Sequence, residues 1–346
     1  MDRFRNLCGL AVAWILCAIP PVMAAQDADL YEAAKKNNET EITWYQSHIR
    51  TESAEKIGQA FSAKYPGIKV NVFNGTAAVM YQRVVQDFKA GTPQADLFGT
   101  TNAIHMPQLI KEQRLDPHIP ENLSLQVPNV RSLNEPSGLY TITYASVTAL
   151  TYNSDKVKAA DIPKNWTDLL DKKWQGQVTV GSPNFSGTLA GWVVLMKNLY
   201  GMEFFQRLAD NKPLVGRSID DALVNLNSGE RSIAAGDAAS TSRNKARGNP
   251  VAVSYPSDGA MLLIGPTAVL KGAKHPNAAK LFINYLLTGE AAKVIVAEYE
   301  QSVSIDAPLP PSGPALKDIK TAIVPLEDTM RDLAMIQEKW KELFGN

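Results

Sequence analysis
Ile42-Thr43-Trp44-Tyr45, then Ala54, Ile57, Ala60 and Phe61 within residues 52–64, then Tyr65-Pro66-Gly67, then Ile68, Val70 and Val72: this run decides the fold. The first four residues are a short apolar segment of strand length. The next four recur at helical spacing and form one stripe, and the Tyr-Pro-Gly triplet stops the helix. The last three alternate, as in a strand with one buried face. A helix with Val84, Val85 and Phe88 inward follows, and Ala95-Asp96-Leu97-Phe98 is a third strand. Strand, helix and strand at this spacing predict a parallel sheet covered by helices.

The same grammar extends in both directions. Residues 29–37 read as a short entry helix. Residues 116–138 are punctuated by Pro and Asn and read as loop, and residues 139–152 are strand-like throughout, long enough to run from one domain into another. Strand and helix alternate again through residues 176–180, 188–199, 220–226 and 251–255. Residues 278–287 form a helix stopped by Gly289, and residues 327–344 place Met330, Leu333, Gln337, Trp340 and Phe344 at helical spacing. The fold class expected is α/β in two lobes.

With 346 residues the chain has room for two domains of about 150 residues, each with its own core. It carries 35 Lys+Arg against 35 Asp+Glu, a balance that speaks against coating nucleic acid or an anionic membrane. Residues 1–24 have the layout of a secretory leader: Arg3 and Arg5, an uncharged apolar run over residues 7–19, Pro20-Pro21, and a Val22-Met23-Ala24 cleavage site. Cys17 ends the apolar run, but the bulky Leu16 before it disfavours lipid attachment. Cleavage after Ala24 removes both cysteines, Cys8 and Cys17, and leaves a near-neutral exported chain that stands on its core without disulfides.

The four histidines, His48, His105, His118 and His275, include no pair at helical metal-ligand spacing. HExxH, the phosphate-binding P-loop pattern and GxSxG are absent. Ser53-Ala54-Glu55-Lys56 and Ser242-Arg243-Asn244-Lys245 fit SxxK but lack a companion Lys-Thr-Gly. Asp220-Asp221 read as a solvated helix face. Gly181-Ser182-Pro183-Asn184-Phe185-Ser186-Gly187-Thr188 carries more information. Its short side chains lie between a strand and an apolar helix, leaving backbone N–H groups open at a helix start. Those donors, the Ser186 and Thr188 hydroxyls and the helix dipole suit an anion; N-capping by Ser186 alone also explains that residue.

Several further segments carry a family resemblance along nearly the whole mature chain. They include residues 30–36, Ile42–Tyr45, Pro66–Val70, Pro93–Phe98, Trp166–Leu170 with Lys173–Gly176, Tyr255–Gly259, Val269–Gly272 and His275–Phe282. In this order they resemble the periplasmic solute-binding receptors of ABC importers, and specifically the ferric-ion-binding subgroup.

The resemblance implies a type II periplasmic-binding-protein fold, each lobe a mixed sheet flanked by helices, with the ligand cleft between the lobes. It implies lobe one from residues 25–144 and 256–300, lobe two from 145–255 and 301–346, and crossovers near Tyr144–Val147 and Tyr255–Gly259. An inner-membrane ABC permease is the implied partner. The expected protein is a monomer without a cofactor or resident metal and does not act on nucleic acid. An enzyme or a sensory adaptor on the same fold are the other classes considered.

Iron is where the sequence departs from the subgroup. Hard Fe(III) wants anionic oxygen ligands, and the subgroup's Tyr-Tyr pair aligns with Ala238-Ala239. Its acidic ligand aligns near Val79, and only His48 remains as a match, or else as a hydrogen-bonded loop residue. The subgroup's anion-holding turn is kept as Ser186-Gly187-Thr188, and an uncharged anion contact aligns with Arg217. Asp237 is placed to meet an amine or hydroxyl of the same solute. Thr76, Thr100 and Ser146 fall at strand ends by analogy, Ser240 follows the vacant tyrosine positions, and Asp258 sits in the second crossover. The expected solute is a small organic anion such as a sugar phosphate, phosphonate or carboxylate, with a ferric ion or iron chelate as the alternative.

Overall fold
The computed structural model describes residues 25–102 and 104–345. The expected leader, with Cys8 and Cys17, lies outside the described residues.

The first group of elements is α1 (Ala25–Lys36), β1 (Glu41–Gln46), α2 (Thr51–Lys64), β2 (Lys69–Asn74), α3 (Ala77–Lys89) and β3 (Leu97–Gly99). As the spacing predicts, β1 is parallel to both β2 and β3, with α2 and α3 as crossovers. Ala54, Ile57 and Phe61 of α2 are buried, and Gly67, at a φ of 94°, turns the chain back into β2. The chain then passes through α4 (His105–Lys111), β4 (Leu115–Asp116) and α5 (Pro128–Arg131) to β5 (Thr141–Asn153).

The second group is β6 (Val178–Gly181), α6 (Gly187–Tyr200), α7 (Glu203–Asp210), β7 (Leu214–Gly216), α8 (Ile219–Asn227), β8 (Ile233–Asp237), α9 (Ala238–Ala246) and β9 (Val251–Ser254). The chain returns through β10 (Ala260–Leu270), α10 (Pro276–Leu286), α11 (Gly289–Ala297), β11 (Thr321–Ala322) and α12 (Leu326–Phe344). The strand order is β2-β1-β3-β10-β5-β8-β6-β7, with β4 and β11 beside β10 and β9 beside β5.

β5 joins the two halves. Thr141–Thr148 pairs with β10, whereas Thr148–Tyr152 pairs with β8 and Leu150–Asn153 with β9. The two ends of this strand are therefore held by different strands of one continuous sheet, and almost every residue of it is buried. One large core gathers Trp166, Trp192, Phe204 and Phe205 with Met261, Ile336 and Trp340. Another gathers Trp44, Ile57 and Phe61 with Tyr144, Val269, Phe282 and Tyr285.

Three details differ from the sequence reading. The second strand between the halves is β10, just past the stretch 255–259 expected for it. The sequence reading set no strand over residues 260–270; within it Gly265-Pro266 is accommodated as a register shift against β5. Gly289 does not stop α10: Thr288 accepts from the Ala291 amide at 3.2 Å, and Gly289 opens α11. The helix α7 has no counterpart in the sequence reading.

Candidate functional site
Parallel pairing of β6 with β7 and β8 brings three carboxyl-terminal strand ends side by side. A helix leaves each of them: α6 after β6, α8 after β7, α9 after β8. Their caps are Ser186, which accepts from Leu189 N, Ser218, which accepts from Asp221 N, and Asp237, which accepts from Ser240 N. The approach is close enough to require glycine: a Cβ on Gly181 would lie 2.7 Å from the Ser218 carbonyl group. Ligands of open α/β sheets sit beyond such strand ends.

The turn before α6 is exposed at Phe185 and Gly187 and half-buried at Ser186 and Thr188. Arg217, exposed, lays its guanidinium over the Phe185 ring at 5.1 Å. Its backbone N–H donates to Asp221 Oδ2 at 2.6 Å; Asp221 Oδ2 also accepts from Ser218 N at 3.2 Å, completing a capping box with Ser218. Of the pair read as a solvated face, Asp221 is instead a cap, whereas Asp220 is exposed and within electrostatic reach of Asp237, Arg243 and Arg50. Although solvent reaches it, burial raises its carboxyl pKa, Asp237 raises it further, and Arg243 and Arg50 oppose the rise.

On the next strand Asp237 accepts Ser146 Oγ at 2.9 Å and Ser240 N at 2.7 Å. Ser240 Oγ accepts from Arg243 Nη2 at 2.9 Å, and Arg243 Nη1 pairs with Glu300 Oε1 at 2.8 Å. Tyr144 donates to Glu300 Oε2 at 3.3 Å. Burial, then the charge of Asp237, raises the Glu300 carboxyl and pushes the Tyr255 phenol up to about 12. Ser146 of β5, Asp237 at the end of β8 and Ser240 of α9 thus form one cluster beside the strand shared by both halves.

His48 and Arg50 follow β1 and line a cavity of about 620 Å³ with Ser47, Ile49, Thr51, Glu52 and Asn74. His48 is not the hydrogen-bonded loop residue considered above. It is 7% exposed, stacks on Tyr144 at 5.1 Å, and neither ring nitrogen has a hydrogen-bond partner. Burial lowers its pKa to about 3, so the ring is neutral. Gly99 and Gly265 make room for it; a Cβ on Gly99 would lie 2.3 Å from His48 Cε1. Gly99→Ala should therefore cost about 1–3 kcal/mol by overpacking, measured by urea unfolding; an unchanged midpoint would show that the ring moves freely.

Residues 46–293 match the family model described as bacterial extracellular solute-binding protein. The chain belongs to that family. This solute-binding protein is 24% identical over 267 residues to the Fe(3+)-binding periplasmic protein of Serratia marcescens, covering 74% of its own length and 77% of the relative's. Its fold is that of the binding protein AfuA from Actinobacillus pleuropneumoniae, solved with fructose-6-phosphate (TM-score 0.69, 20% identity, 88% of this chain and 98% of that one). Iron-bound HitA from Pseudomonas aeruginosa is equally similar (TM-score 0.70, 21% identity, 88% and 99%). Both are two-lobed periplasmic binding proteins, and this solute-binding protein shares that α/β architecture.

Not every residue singled out in the solute-binding protein joins the cluster. Thr76 caps α3, accepting from Val79 N, and stays exposed. Thr100 is fully buried, its hydroxyl bonded to His105 Nδ1 at 3.0 Å and Asn102 N at 3.1 Å. Asp258 accepts from Trp166 N at 2.9 Å and from the Tyr200 hydroxyl. Tyr200 ends the helix that Ser186 begins, so Asp258 sits about 20 Å from the anion turn. Arg50, Asp220 and Arg243 were missed by sequence reasoning. Asp220 was read at a helix start but given no part in a site; nothing local marks the other two.

Proposed function
We propose that this solute-binding protein captures a small organic anion, a sugar phosphate, phosphonate or carboxylate, between its lobes and delivers it from the periplasm to an ABC permease. In this reading the leader is removed after Ala24, the receptor is monomeric and performs no chemistry on its cargo. Lobe one comprises residues 25–144 and 256–300, and lobe two comprises 145–255 and 301–346. The core around Trp192 and Trp340 draws on the second lobe and that around Trp44 and Phe282 on the first, while a third core, with Val147, Ala238, Leu262 and Val303, spans both. Closure is driven by contacts that the cargo makes with both lobes at once.

One observation carries the anion assignment. Of the helices leaving β6, β7 and β8, α8 has Asp220 and Asp221 in its first turn and α9 is capped by Asp237. Their positive ends are already met by carboxylates. The helix α6 has no acidic residue in its first turn and has Arg217 beside it instead. A bound anion is what this end lacks. Ser186, Gly187, Thr188 and Arg217 would hold it, with Ser146, Asp237 and Ser240 toward the hinge and His48 with its cavity opposite.

Ferric binding has less support. The tyrosine positions hold Ala238 and Ala239, both buried and without oxygen donors. The nearby phenols of Tyr144 and Tyr255 are pushed up by burial, opposite to what a phenolate ligand needs.

A thermal-shift screen of fructose 6-phosphate, ethylphosphonate, citrate and Fe(III) tests the reading, because a ligand of the native state raises the melting temperature. We expect an anion to stabilise. Arg217→Ala and Thr188→Ala should each weaken its binding by about 1.5–3 kcal/mol in calorimetry, the range for a hydrogen bond to a charged group. Ser186→Ala is less informative, since loss of the cap costs about 1 kcal/mol of stability on its own. A salmon-pink band with tight Fe(III) binding, and no response to anions, would move the assignment to iron.

A further inference from the structure
We infer that the cargo is a short zwitterion, with a primary ammonium group seated at Asp237 and Asp220 while its anionic end occupies the α6 turn. The inference rests on the anion reading above and narrows it. Asp237 receives only neutral donors, Ser146 Oγ and Ser240 N. Among the described residues, neither Asp237 nor Asp220 has an ion-pair partner, whereas Glu300 is matched by Arg243 at 2.8 Å.

The charge of Asp237 is felt by all its titratable neighbours: it raises Asp220, Tyr144, Tyr255 and Glu300 alike, in each case after burial. This end of the cleft therefore sets three carboxylates, Asp220, Asp237 and Glu300, against two cations, Arg50 and Arg243, of which Arg243 is paired with Glu300. A separate observation points to an incoming polar group. Thr148 stands directly opposite Asp237 in the β5–β8 register, on the face that also bears Ser146. It is fully buried, and its hydroxyl has no hydrogen-bond partner.

The two seats are close. Gly181 and Asp237 end adjacent strands, about 5 Å apart, and Ser186 follows Gly181 by five residues, so both seats lie along the same carboxyl edge of the sheet, within the span of a short molecule.

Titration calorimetry on the mature protein, with ligand pairs differing by one amine, tests this. The pairs are 2-aminoethylphosphonate against ethylphosphonate, glucosamine 6-phosphate against glucose 6-phosphate, and β-alanine against propionate. In every pair that binds, the amine member should bind at least tenfold tighter. Asp237→Asn should shrink that preference to threefold or less. Asparagine also caps helices well, so α9 should survive the change. Should that variant fail to fold, Asp220→Asn is read the same way. Arg217→Ala should weaken both members of a pair equally. Equal affinity within pairs, or a preference that survives both aspartate replacements, overturns the zwitterion and leaves the anion site standing. Absence of binding by every member overturns both.

Discussion

Arg243→Ala should lower the unfolding free energy by about 3–5 kcal/mol at neutral pH, the range for breaking a buried ion pair by removing one partner. The Arg243 and Glu300 side chains are 12% and 5% exposed. The guanidinium also donates to Glu298 O at 3.1 Å and to Ser240 Oγ at 2.9 Å. Without it, Glu300 is left charged beside Asp237 with only Tyr144 as donor. Urea unfolding measures the loss. The double variant R243M/E300M removes both charges and should recover most of it, since apolar replacement of a buried pair is often neutral. Proton uptake by Glu300 relieves the stranded charge, so the deficit should shrink from pH 8 to pH 5. A single-variant loss under 1 kcal/mol would mean that water reaches Glu300.

The second large effect is with acid. His48 is neutral in the folded protein, with its pKa lowered by burial to about 3, and His105 is lowered to about 4 for the same reason. The unfolded chain protonates these rings from about pH 6.5 downward. Between that value and the folded pKa the unfolded state binds more protons, so stability rises with pH and is lost as pH falls. At pH 4.5 His48 alone should account for about 2–3 kcal/mol. Glu300 and Asp220 act the other way: their raised pKa values favour the folded state as they protonate. His48→Phe keeps a ring against Tyr144 and removes the titration. Its stability should fall less steeply between pH 6.5 and 4.5, and an unchanged slope would refute His48 as the source.

Both effects depend on groups whose importance the sequence only partly discloses. The alternation of Ile68, Val70 and Val72 and the stripe of Ile57 and Phe61 were enough to place β2 and α2, because burial of one face imposes a period the chain itself displays. Ser186 was readable as a helix start for a similar reason: capping is a local bond, three residues long. His48 was readable only as a residue type. The room for its ring comes from Gly99 and Gly265, which are remote in sequence and converge on it.

Periodicity and local capping chemistry determined the α/β class, most of the elements and the turn that opens α6, since each is settled by neighbours within a few residues. Tertiary structure alone decided that Asp237 of β8 meets Ser146 of β5, that Arg243 reaches Glu300, that Asp220 comes within electrostatic reach of Asp237 and Arg50, and that Thr100 and Asp258 are spent elsewhere. Charge pairing and desolvation act through space between strands and helices far apart along the chain, and no sequence interval records those distances.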